Sequence, residues 1–279
     1  MSPPSRSKGE FQRAQPEGSP ASALAPLVYI TGASSGIGQA LAQAYYRAGW
    51  RLALVARRSA ELLEWARVAG FEPSRCQVYG ADVRNISAIT QAGRDCLASQ
   101  GLPDVVVANA GISLAMDSAD IDDLDVMRAT LETNVLGMAA TFQPFVAPLR
   151  KRGAGTLVGI ASVAAIRGLP GHAAYCASKA AAVSYCESLR GECRASGVKV
   201  VTLLPGFVAT PLTSKNRYPM PFLMPADVFA EHALQAISAG VSYRVIPWQM
   251  SIVAKLMRLL PNAVFDRLLV GRPRKHKQV

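Results

Sequence analysis

Residues 27–38 read LVYITGASSGIG, an apolar run that leads directly into a glycine-rich turn. The run is typical of a strand that is buried on both faces, as in a parallel sheet. Glycines 32, 36 and 38 allow a tight turn and close approach to a ligand. A helix that we expect to begin near Gly38 would offer its first N–H groups to a pyrophosphate. The GxxxGxG spacing lacks a following Gly-Lys-Ser/Thr, which excludes a triphosphate P-loop, and a turn that binds no ligand stays open as the alternative.

Outward from this stretch, short apolar runs alternate with amphipathic stretches of helical length. The alternation predicts an α/β fold: a Rossmann-like, doubly wound parallel sheet of about seven strands, with helices on both faces and a single domain. A ligand crevice is then expected at the carboxyl ends of the strands. The strands that we assign are Leu27–Thr31, Arg51–Ala56, Cys76–Gly80, Val105–Ala108, Gly155–Ile160 and Lys199–Leu204. The helices are expected to begin near Gly38, Ser59, Ile86, Asp122, Ala173 and Ala226.

The composition of the 279-residue chain excludes several classes of protein. Half of the residues are hydrophobic, so the chain is not wholly disordered. Five cysteines without CxxC or Cys/His spacing exclude a disulfide scaffold and argue against a metal site. Of the net charge of +11, eight basic residues and one acid within residues 244–279 account for +7. The body lacks a basic stripe with interleaved aromatic residues, so we expect no nucleic-acid partner.

The chain divides into three parts by composition. Residues 1–25 are rich in Ser, Pro, Gln and Gly and predict a disordered tail, residues 26–247 form the folded domain, and residues 248–279 form an amphipathic extension with a basic tail. We find no signal-peptide core and no uncharged apolar stretch of ~18 residues, so we expect a cytoplasmic location.

The C-terminal extension has the pattern of an amphipathic helix. Ser251, Lys255, Arg258 and Asn262 recur at helical spacing among apolar residues, and the basic tail spans residues 272–277. Apolar area beside several cations suits peripheral contact with an anionic membrane surface. A helix that covers the substrate cleft or contacts a second copy is the alternative.

The residues after the second strand concern the choice of cofactor. NAD-binding sheets carry an acid there for the ribose 2′-OH, whereas this chain has Arg57 and Arg58. Guanidinium groups suit a 2′-phosphate, because they can bind it in bidentate fashion. This pattern favours NADP over NAD, with a solvated basic loop as the alternative.

Polar and small residues follow the third and fourth strands. Asp82, followed by Val83, could accept a hydrogen bond from an adenine amine or serve as a turn or cap residue. Asn109, Ala110 and Gly111 would let a cofactor lie against the backbone, and the Asn109 side chain could bridge strand backbones.

Tyr175 and Lys179 are four residues apart on a predicted helix and so share one face. An ordinary tyrosine pKa near ~10 is too high for efficient proton exchange at neutral pH. An ammonium ~4 Å away could lower that pKa to a useful range. A surface tyrosine beside a solvated lysine is the alternative interpretation of the pair alone.

In combination, these motifs resemble those of the short-chain dehydrogenase/reductase family, in its NADP-preferring type with GxxxGxG and YxxxK motifs. The resemblance covers residues 26–240 and rests on residues 31–38, Asn109-Ala110-Gly111, Asn134, Ser162, Tyr175 with Lys179, and residues 205–210. It implies a catalytic domain that transfers hydride between NADPH and a carbonyl or hydroxyl group. It also implies a homo-dimer or homo-tetramer.

The resemblance assigns roles to four catalytic residues. Tyr175 would be the general acid, and Lys179 would lower its pKa and hold the nicotinamide ribose. Ser162 would donate a hydrogen bond to the substrate oxygen. Asn134 would hold a water that connects Lys179 to solvent.

The family pattern also implies a set of cofactor-binding residues. Pro205 and Gly206 would border the nicotinamide, with Val208 and Thr210 near its carboxamide. The other members of the set are Gly32, Ser34, Ser35, Gly36, Ile37, Gly38, Arg57, Asp82, Val83, Asn109, Ala110, Gly111, Tyr175 and Lys179. Ser34 and Ser35 stand where some NADP-preferring members carry a basic residue.

The segments that contact substrate in this family are apolar here. Residues 163–165, 168–172 and 211–225 include Tyr218, Met220 and Phe222, which suit a hydrophobic carbonyl or alcohol substrate. A lid that packs on its own core is the alternative for residues 211–225. A catalytically idle nucleotide-sensing or scaffold protein of the same fold is the alternative function.

Overall fold

The computed structural model describes residues 24–214, 216 and 218–270 of the chain. The strands are β1 Leu27–Thr31, β2 Arg51–Ala56, β3 Cys76–Gly80, β4 Val105–Ala108, β5 Thr156–Ile160, β6 Lys199–Pro205, β7 Val208–Ala209, β8 Met224–Pro225 and β9 Tyr243–Ile246. The α-helices are α1 Gly36–Arg47, α2 Ser59–Val68, α3 Ile86–Ser99, α4 Asp123–Leu131, α5 Gly137–Arg152, α6 Ala173–Cys193, α7 Ala226–Ala239, α8 Trp248–Leu259 and α9 Asn262–Leu269. A π-helical turn, Glu132–Leu136, joins α4 to α5, and 3-10 turns lie at Val163–Ala165 and Arg194–Ser196.

Seven strands form one parallel sheet in the order β3-β2-β1-β4-β5-β6-β9. β1 pairs with β2 on one side and with β4 on the other. The chain therefore progresses in opposite directions from β1, and the carboxyl ends of β1 and β4 form the two sides of a crevice. Ligands of open α/β sheets bind at such a topological switch point.

Helices cover both faces of the sheet, as predicted for a Rossmann-like single domain. Val28 and Ile30 of β1 pack in a core with residues of α1, α2 and α7. Leu27 and Tyr29 of the same strand pack in a second core with residues of α3, α5 and α6. Burial on both faces explains why β1 is continuously apolar rather than alternating.

Helix α5 and strands β7, β8 and β9 have no counterpart in the sequence assignment. α5 contains Pro144 and Pro148, residues that normally end helices. Pro144 packs closely against Gly93 of α3, where a Cβ would lie 2.7 Å from its Cγ. The edge strand of the seven-stranded sheet, β9, was not recognised in the sequence, because it is short and its first two residues are exposed.

Other boundaries differ by one or two residues. α1 begins at Gly36 rather than Gly38, and α4 begins at Asp123 rather than Asp122. The amphipathic helix expected between Gln249 and Asn262 is α8, which ends at Leu259, and Asn262 begins the separate helix α9. Pro261 explains the break, because a residue that precedes proline avoids the helical conformation and Leu260 is extended at ψ 132°.

The described residues include only the ends of the predicted tails. Ala25 belongs to the folded body, because its carbonyl accepts a 2.8 Å hydrogen bond from Arg51 Nε. Residues 1–23 of the predicted disordered tail and the basic residues 272–277 lie outside the described residues. Within residues 24–214, 216 and 218–270, no helix combines the length and the apolar character needed to cross a bilayer.

Candidate active site

A cleft of about 570 Å³ opens at the carboxyl ends of β1 and β4. All but two of the catalytic and cofactor-binding residues that the sequence nominated line it, whereas Tyr218, Met220 and Phe222 of the predicted substrate segments do not. Gly38 and Asn134 are the exceptions, and both are buried away from the cleft surface. The nominated residues that line the cleft are Gly32, Ser34, Ser35, Gly36, Ile37, Arg57, Asp82, Val83, Asn109, Ala110, Gly111, Ser162, Tyr175, Lys179, Pro205, Gly206, Val208 and Thr210.

The glycine turn packs tightly on the end of β4. Gly32 adopts φ +66°, and a Cβ there would lie 2.7 Å from the Cα of Ala110. A Cβ on Gly38 would lie 2.8 Å from Asn109 Nδ2 and would also meet the Gly32 carbonyl. Asn109 Nδ2 donates to the carbonyls of Thr31 at 3.0 Å and Gly32 at 3.2 Å. Asn109 therefore has the backbone-bridging role, and it holds the turn in place.

The N-terminus of α1 suits the phosphates of a dinucleotide. Ser35 occupies the N-cap, but its side chain makes no capping hydrogen bond, and the first turn carries no acid. The first helical N–H groups and the positive end of the helix dipole are thus available to an anion. Gly36 leaves space beside Thr210, whose Cγ2 would lie 3.1 Å from an added Cβ.

Three arginines gather at the other end of this part of the cleft. Arg57, at the end of β2, lies 3.8 Å from Asp82, and Arg84 pairs with the same carboxylate at 2.9 Å. Burial opposes ionisation of Asp82, but the hydrogen bonds and charge of Arg84, with Arg57, hold its pKa below the usual value. Arg84 lines the cleft beside Arg58 and was not nominated from the sequence. The sequence could have indicated this role, because Arg84 follows Asp82 by only two residues at the end of the third strand.

Tyr175 and Ser162 meet at the inner end of the cleft. Ser162 caps the 3-10 turn that follows β5, where its Oγ accepts a 3.2 Å hydrogen bond from Ala164 N. Burial raises the pKa of Tyr175, and a hydrogen bond from Ser162 partly offsets that rise. The raised pKa differs from the lowered value expected beside Lys179, because burial disfavours the phenolate.

Lys179 is almost fully buried in the wall beneath Tyr175. Its Nζ donates a 2.9 Å hydrogen bond to the carbonyl of Ile160 and lies 5.9 Å from the centroid of the Tyr175 ring. Burial lowers the pKa of Lys179 to about 8. Burial therefore disfavours the charged form of Lys179, which is the form that the sequence argument required to lower the pKa of Tyr175.

Asn134 lies in the π-helical turn, completely buried. Its Oδ1 accepts from Ile112 N at 2.8 Å, and its Nδ2 donates to Ile112 O and Ser178 Oγ, both at 2.9 Å. A Cβ on Gly111 would lie 3.2 Å from Asn134 Oδ1 and 3.3 Å from Lys179 Nζ. The two polar groups therefore approach the same small gap, which a side chain at position 111 would fill.

Three aromatic side chains pack together outside the set of residues that line the cleft, and one of them, Tyr218, interacts electrostatically with Tyr175. Tyr218 makes ring contacts with His172 at 6.0 Å and with Phe207 at 6.2 Å between centroids. Phe222 and Leu223, in the same segment, are about half exposed. Lys215 and Arg217 lie outside the described residues.

A crevice at the switch point of a parallel sheet, lined by Ser162, Tyr175 and Lys179, is typical of an oxidoreductase that transfers hydride from a nicotinamide dinucleotide. The family model described as short chain dehydrogenase matches residues 26–220. The chain belongs to this family and is a short-chain dehydrogenase/reductase.

Relatives and solved structures agree with this assignment. The chain is 38% identical over 240 residues to an uncharacterised oxidoreductase of Myxococcus xanthus, which covers 85% of this chain and 93% of the relative. The alcohol dehydrogenase of Thermococcus sibiricus, solved with 5-hydroxy-NADP, is 28% identical and has a TM-score of 0.71 over 79% of this chain and 95% of its own. The 3-ketoacyl-(acyl-carrier-protein) reductase of Brucella melitensis, solved with NADH, is 25% identical and has a TM-score of 0.72 over 79% of this chain and 96% of its own.

Proposed function

We propose that this oxidoreductase is an NADPH-dependent reductase of hydrophobic carbonyl compounds. The observation that carries the proposal is the arrangement of Tyr175, Ser162 and Lys179 in the cleft. Tyr175 lines the cleft with Ser162 and is protonated at neutral pH, so its hydroxyl would be the proton donor to a substrate oxygen. Burial raises its pKa and opposes the transfer, and the charge of Lys179 would offset this by favouring the phenolate. The direction of carbonyl reduction needs such a donor.

The basic end of the cleft supports NADPH rather than NADH. Arg57 and Arg84 outnumber the one carboxylate between them, Asp82, and both line the cleft. Arg57 is 62% exposed and only 3.8 Å from Asp82, so its guanidinium can turn towards a 2′-phosphate. The related structures hold NADP-type and NADH ligands, so the preference of this chain rests on its own arginines.

We assign the residues of the cleft to the parts of NADPH in order. The α1 N-terminus and residues 34–37 would hold the pyrophosphate, and Arg57 with Arg84 the 2′-phosphate. Residues 205–210 and Lys179 would hold the nicotinamide riboside. When bound, the cofactor supplies the hydride to the carbonyl carbon.

The remaining steps belong to the side chains of the protein. Ser162 and Tyr175 would orient the carbonyl oxygen and stabilise its growing negative charge. The Tyr175 hydroxyl would then donate its proton, and Lys179 would return a proton to the phenolate. The gap that Gly111 leaves between Lys179 and Asn134 suits a water that would connect Lys179 to solvent.

The aromatic cluster around Tyr218 supports a hydrophobic substrate. Tyr218 packs edge to face on His172 and at a tilt on Phe207, and Phe222 and Leu223 of the same segment are about half exposed. These side chains would bind the apolar part of a substrate by removing it from water. Ser162 and Tyr175 would make the polar contacts with its oxygen.

The proposal is tested by a screen of hydrophobic ketones and aldehydes with purified protein, in which the absorbance of NADPH is followed. Parallel reactions with NADH measure the cofactor preference. We expect turnover with NADPH and weaker turnover with NADH. Tighter binding and faster turnover with NADH would contradict the cofactor assignment. The cytoplasmic location and the homo-dimeric or homo-tetrameric state stay predictions.

A further inference from the structure

One face of α8 exposes large apolar side chains to solvent. Trp248, Ile252, Leu256 and Leu259 are 64%, 51%, 59% and 79% exposed, respectively. At about 100° per residue, these four positions fall within an arc of roughly 80° on the helix. Apolar residues grouped in this way mark an interaction surface more often than single exposed residues do.

The opposite face of α8 is packed on the body of the protein. Met250 and Ala254 are buried, and Met250 packs in one cluster with Ala161, Leu204 and Val245. Arg167 also donates hydrogen bonds to the carbonyl of Leu260, at 2.7 Å, and to that of Met257. The orientation of α8 is therefore fixed, and the side chains of its exposed face do not pack in the core.

The helix α9 also exposes apolar side chains to solvent. Phe265 is buried, whereas Val264 and Leu268, four residues apart, are 46% and 51% exposed. We define the docking face as the exposed apolar residues of the two helices. Its members are Trp248, Ile252, Leu256, Leu259, Val264 and Leu268.

Basic residues lie beside the docking face. Lys255 borders the apolar arc of α8 and Arg267 is exposed on α9, whereas Arg258 turns back and donates a 3.3 Å hydrogen bond to the carbonyl of Ile166. The sequence carries a net +7 over residues 244–279, with a single acid, Asp266. A second copy seated on this face would bring like charges together. An anionic lipid surface would instead complement both the charge and the apolar side chains.

We propose that α8 and α9 dock the protein on the surface of membranes that contain anionic phospholipids. A 12-residue helix such as α8 is about 18 Å long, which suits a helix that lies in the plane of the interface. Trp248 would sit at the level of the headgroups, where tryptophan is enriched. Lys255 and Arg267 would contact lipid phosphates.

The test is co-sedimentation of the full-length protein with vesicles of phosphatidylcholine alone or mixed with phosphatidylglycerol, at low and high salt. No substrate or cofactor is added, so the outcome is independent of the proposed function. We expect binding to the anionic vesicles that weakens with salt, because ions screen the charge attraction. Leu256→Glu should weaken this binding at least about tenfold, since it places a carboxylate in the interface.

Leu63→Glu is the matched control. Leu63 is 60% exposed, like Leu256, but lies on α2 beside β3, at the opposite edge of the sheet from α8 and β9. The control should bind vesicles as the parent does, and circular dichroism should show both variants folded.

Three results would overturn the proposal. The first is a parent protein that stays in the supernatant under all conditions. The second is equal, salt-insensitive binding to neutral vesicles. The third is a parent oligomer that Leu256→Glu, but not Leu63→Glu, converts to monomers in size-exclusion chromatography, because the face would then be a contact between copies.

Discussion

The guanidinium carbon of Arg167 lies 3.8 Å from the centroid of the Phe265 ring. The same guanidinium donates from Nη1 to the carbonyl of Leu260 at 2.7 Å and from Nη2 to Asn262 Oδ1 at 2.9 Å. Arg167 follows the 3-10 turn that begins after Ser162, so one side chain ties the C-terminal helices to the loop that carries a candidate catalytic residue. The cation also caps the carbonyl end of α8, where the helix dipole favours positive charge.

Arg167→Ala should therefore loosen α8 and α9. We expect the free energy of unfolding to fall by about 1.5–3 kcal/mol, the range for hydrogen bonds to a charged group. Amide hydrogen exchange in residues 248–270 should accelerate more than in α1. Arg167→Lys keeps the charge but not the forked geometry and should recover only part of the loss. If amide hydrogen exchange in residues 248–270 is unchanged in Arg167→Ala, Arg167 does not hold the two helices in place.

Tyr175→Phe should reduce carbonyl reduction by about 10²–10⁴-fold, the range for loss of a general acid. The ring remains, so the packing around it and the affinity for NADPH should change little. Steady-state rates and a fluorescence titration with NADPH measure the two effects separately. A variant that keeps more than a tenth of the parent rate would exclude Tyr175 as the proton donor.

Arg57→Ala should weaken NADPH binding by roughly ten- to a hundredfold, the loss of one charged hydrogen bond. NADH lacks the 2′-phosphate, so its affinity should stay within about twofold of that of the parent. Arg84→Ala should show the same selectivity, although it also frees Asp82 from its closest ion pair. Equal losses for both cofactors would contradict a role at the 2′-phosphate.

Gly38→Ala should lower the free energy of unfolding by about 1–3 kcal/mol, as overpacking does. Its methyl group would meet Asn109 Nδ2 and the carbonyl of Gly32, so the glycine turn must shift. Gly191→Ala in α6 is the control, because no heavy atom lies within 4 Å of its added Cβ. The control should gain up to about 1 kcal/mol from helix propensity. Chemical denaturation measures the free energy of unfolding of both variants. Similar changes for Gly38→Ala and Gly191→Ala would contradict the close packing at Gly38.

Lys179 should make the free energy of unfolding depend on pH in the alkaline range. Its pKa is about 8 in the folded protein, against about 10.4 in an unfolded chain, so the unfolded state binds more protons between these values. The contribution of Lys179 therefore rises with pH through this window and is lost as the pH falls towards 8. Relative to Lys179→Met, the parent should gain on the order of 3 kcal/mol across it. Urea denaturation at several pH values measures the free energy of unfolding of both proteins. A difference between parent and Lys179→Met that does not change with pH would contradict the lowered pKa of Lys179.

Much of the fold follows from local sequence. The six assigned strands occur within one residue of their expected ends, because most of them are short apolar runs that are buried between two helical layers; β3 is the exception, with Gln77 and Gly80 exposed. The glycine turn was recognisable for a similar reason, since positive φ at Gly32 and Gly36 requires glycine in a stretch of only eight residues.

The local signals were misleading where tertiary packing overrides propensity. Pro144 is a helix breaker in isolation, yet it lies in α5 because Gly93 of α3 leaves room for its ring. The expected fall in the pKa of Tyr175 followed from charge spacing alone. The structure adds burial, which raises that pKa and also lowers that of Lys179.

The sequence by itself determined the α/β class, the strand order along the chain and the residue types available to the cleft, because these depend on neighbours within a turn or a strand. Only the tertiary structure decided which side chains meet. Asn109 holds the turn through Thr31, 78 residues away, and Arg167 holds α9 through Asn262, 95 residues away. It also decided that one apolar face of α8 is buried and the other exposed, since an amphipathic pattern specifies apolar positions but not what covers them.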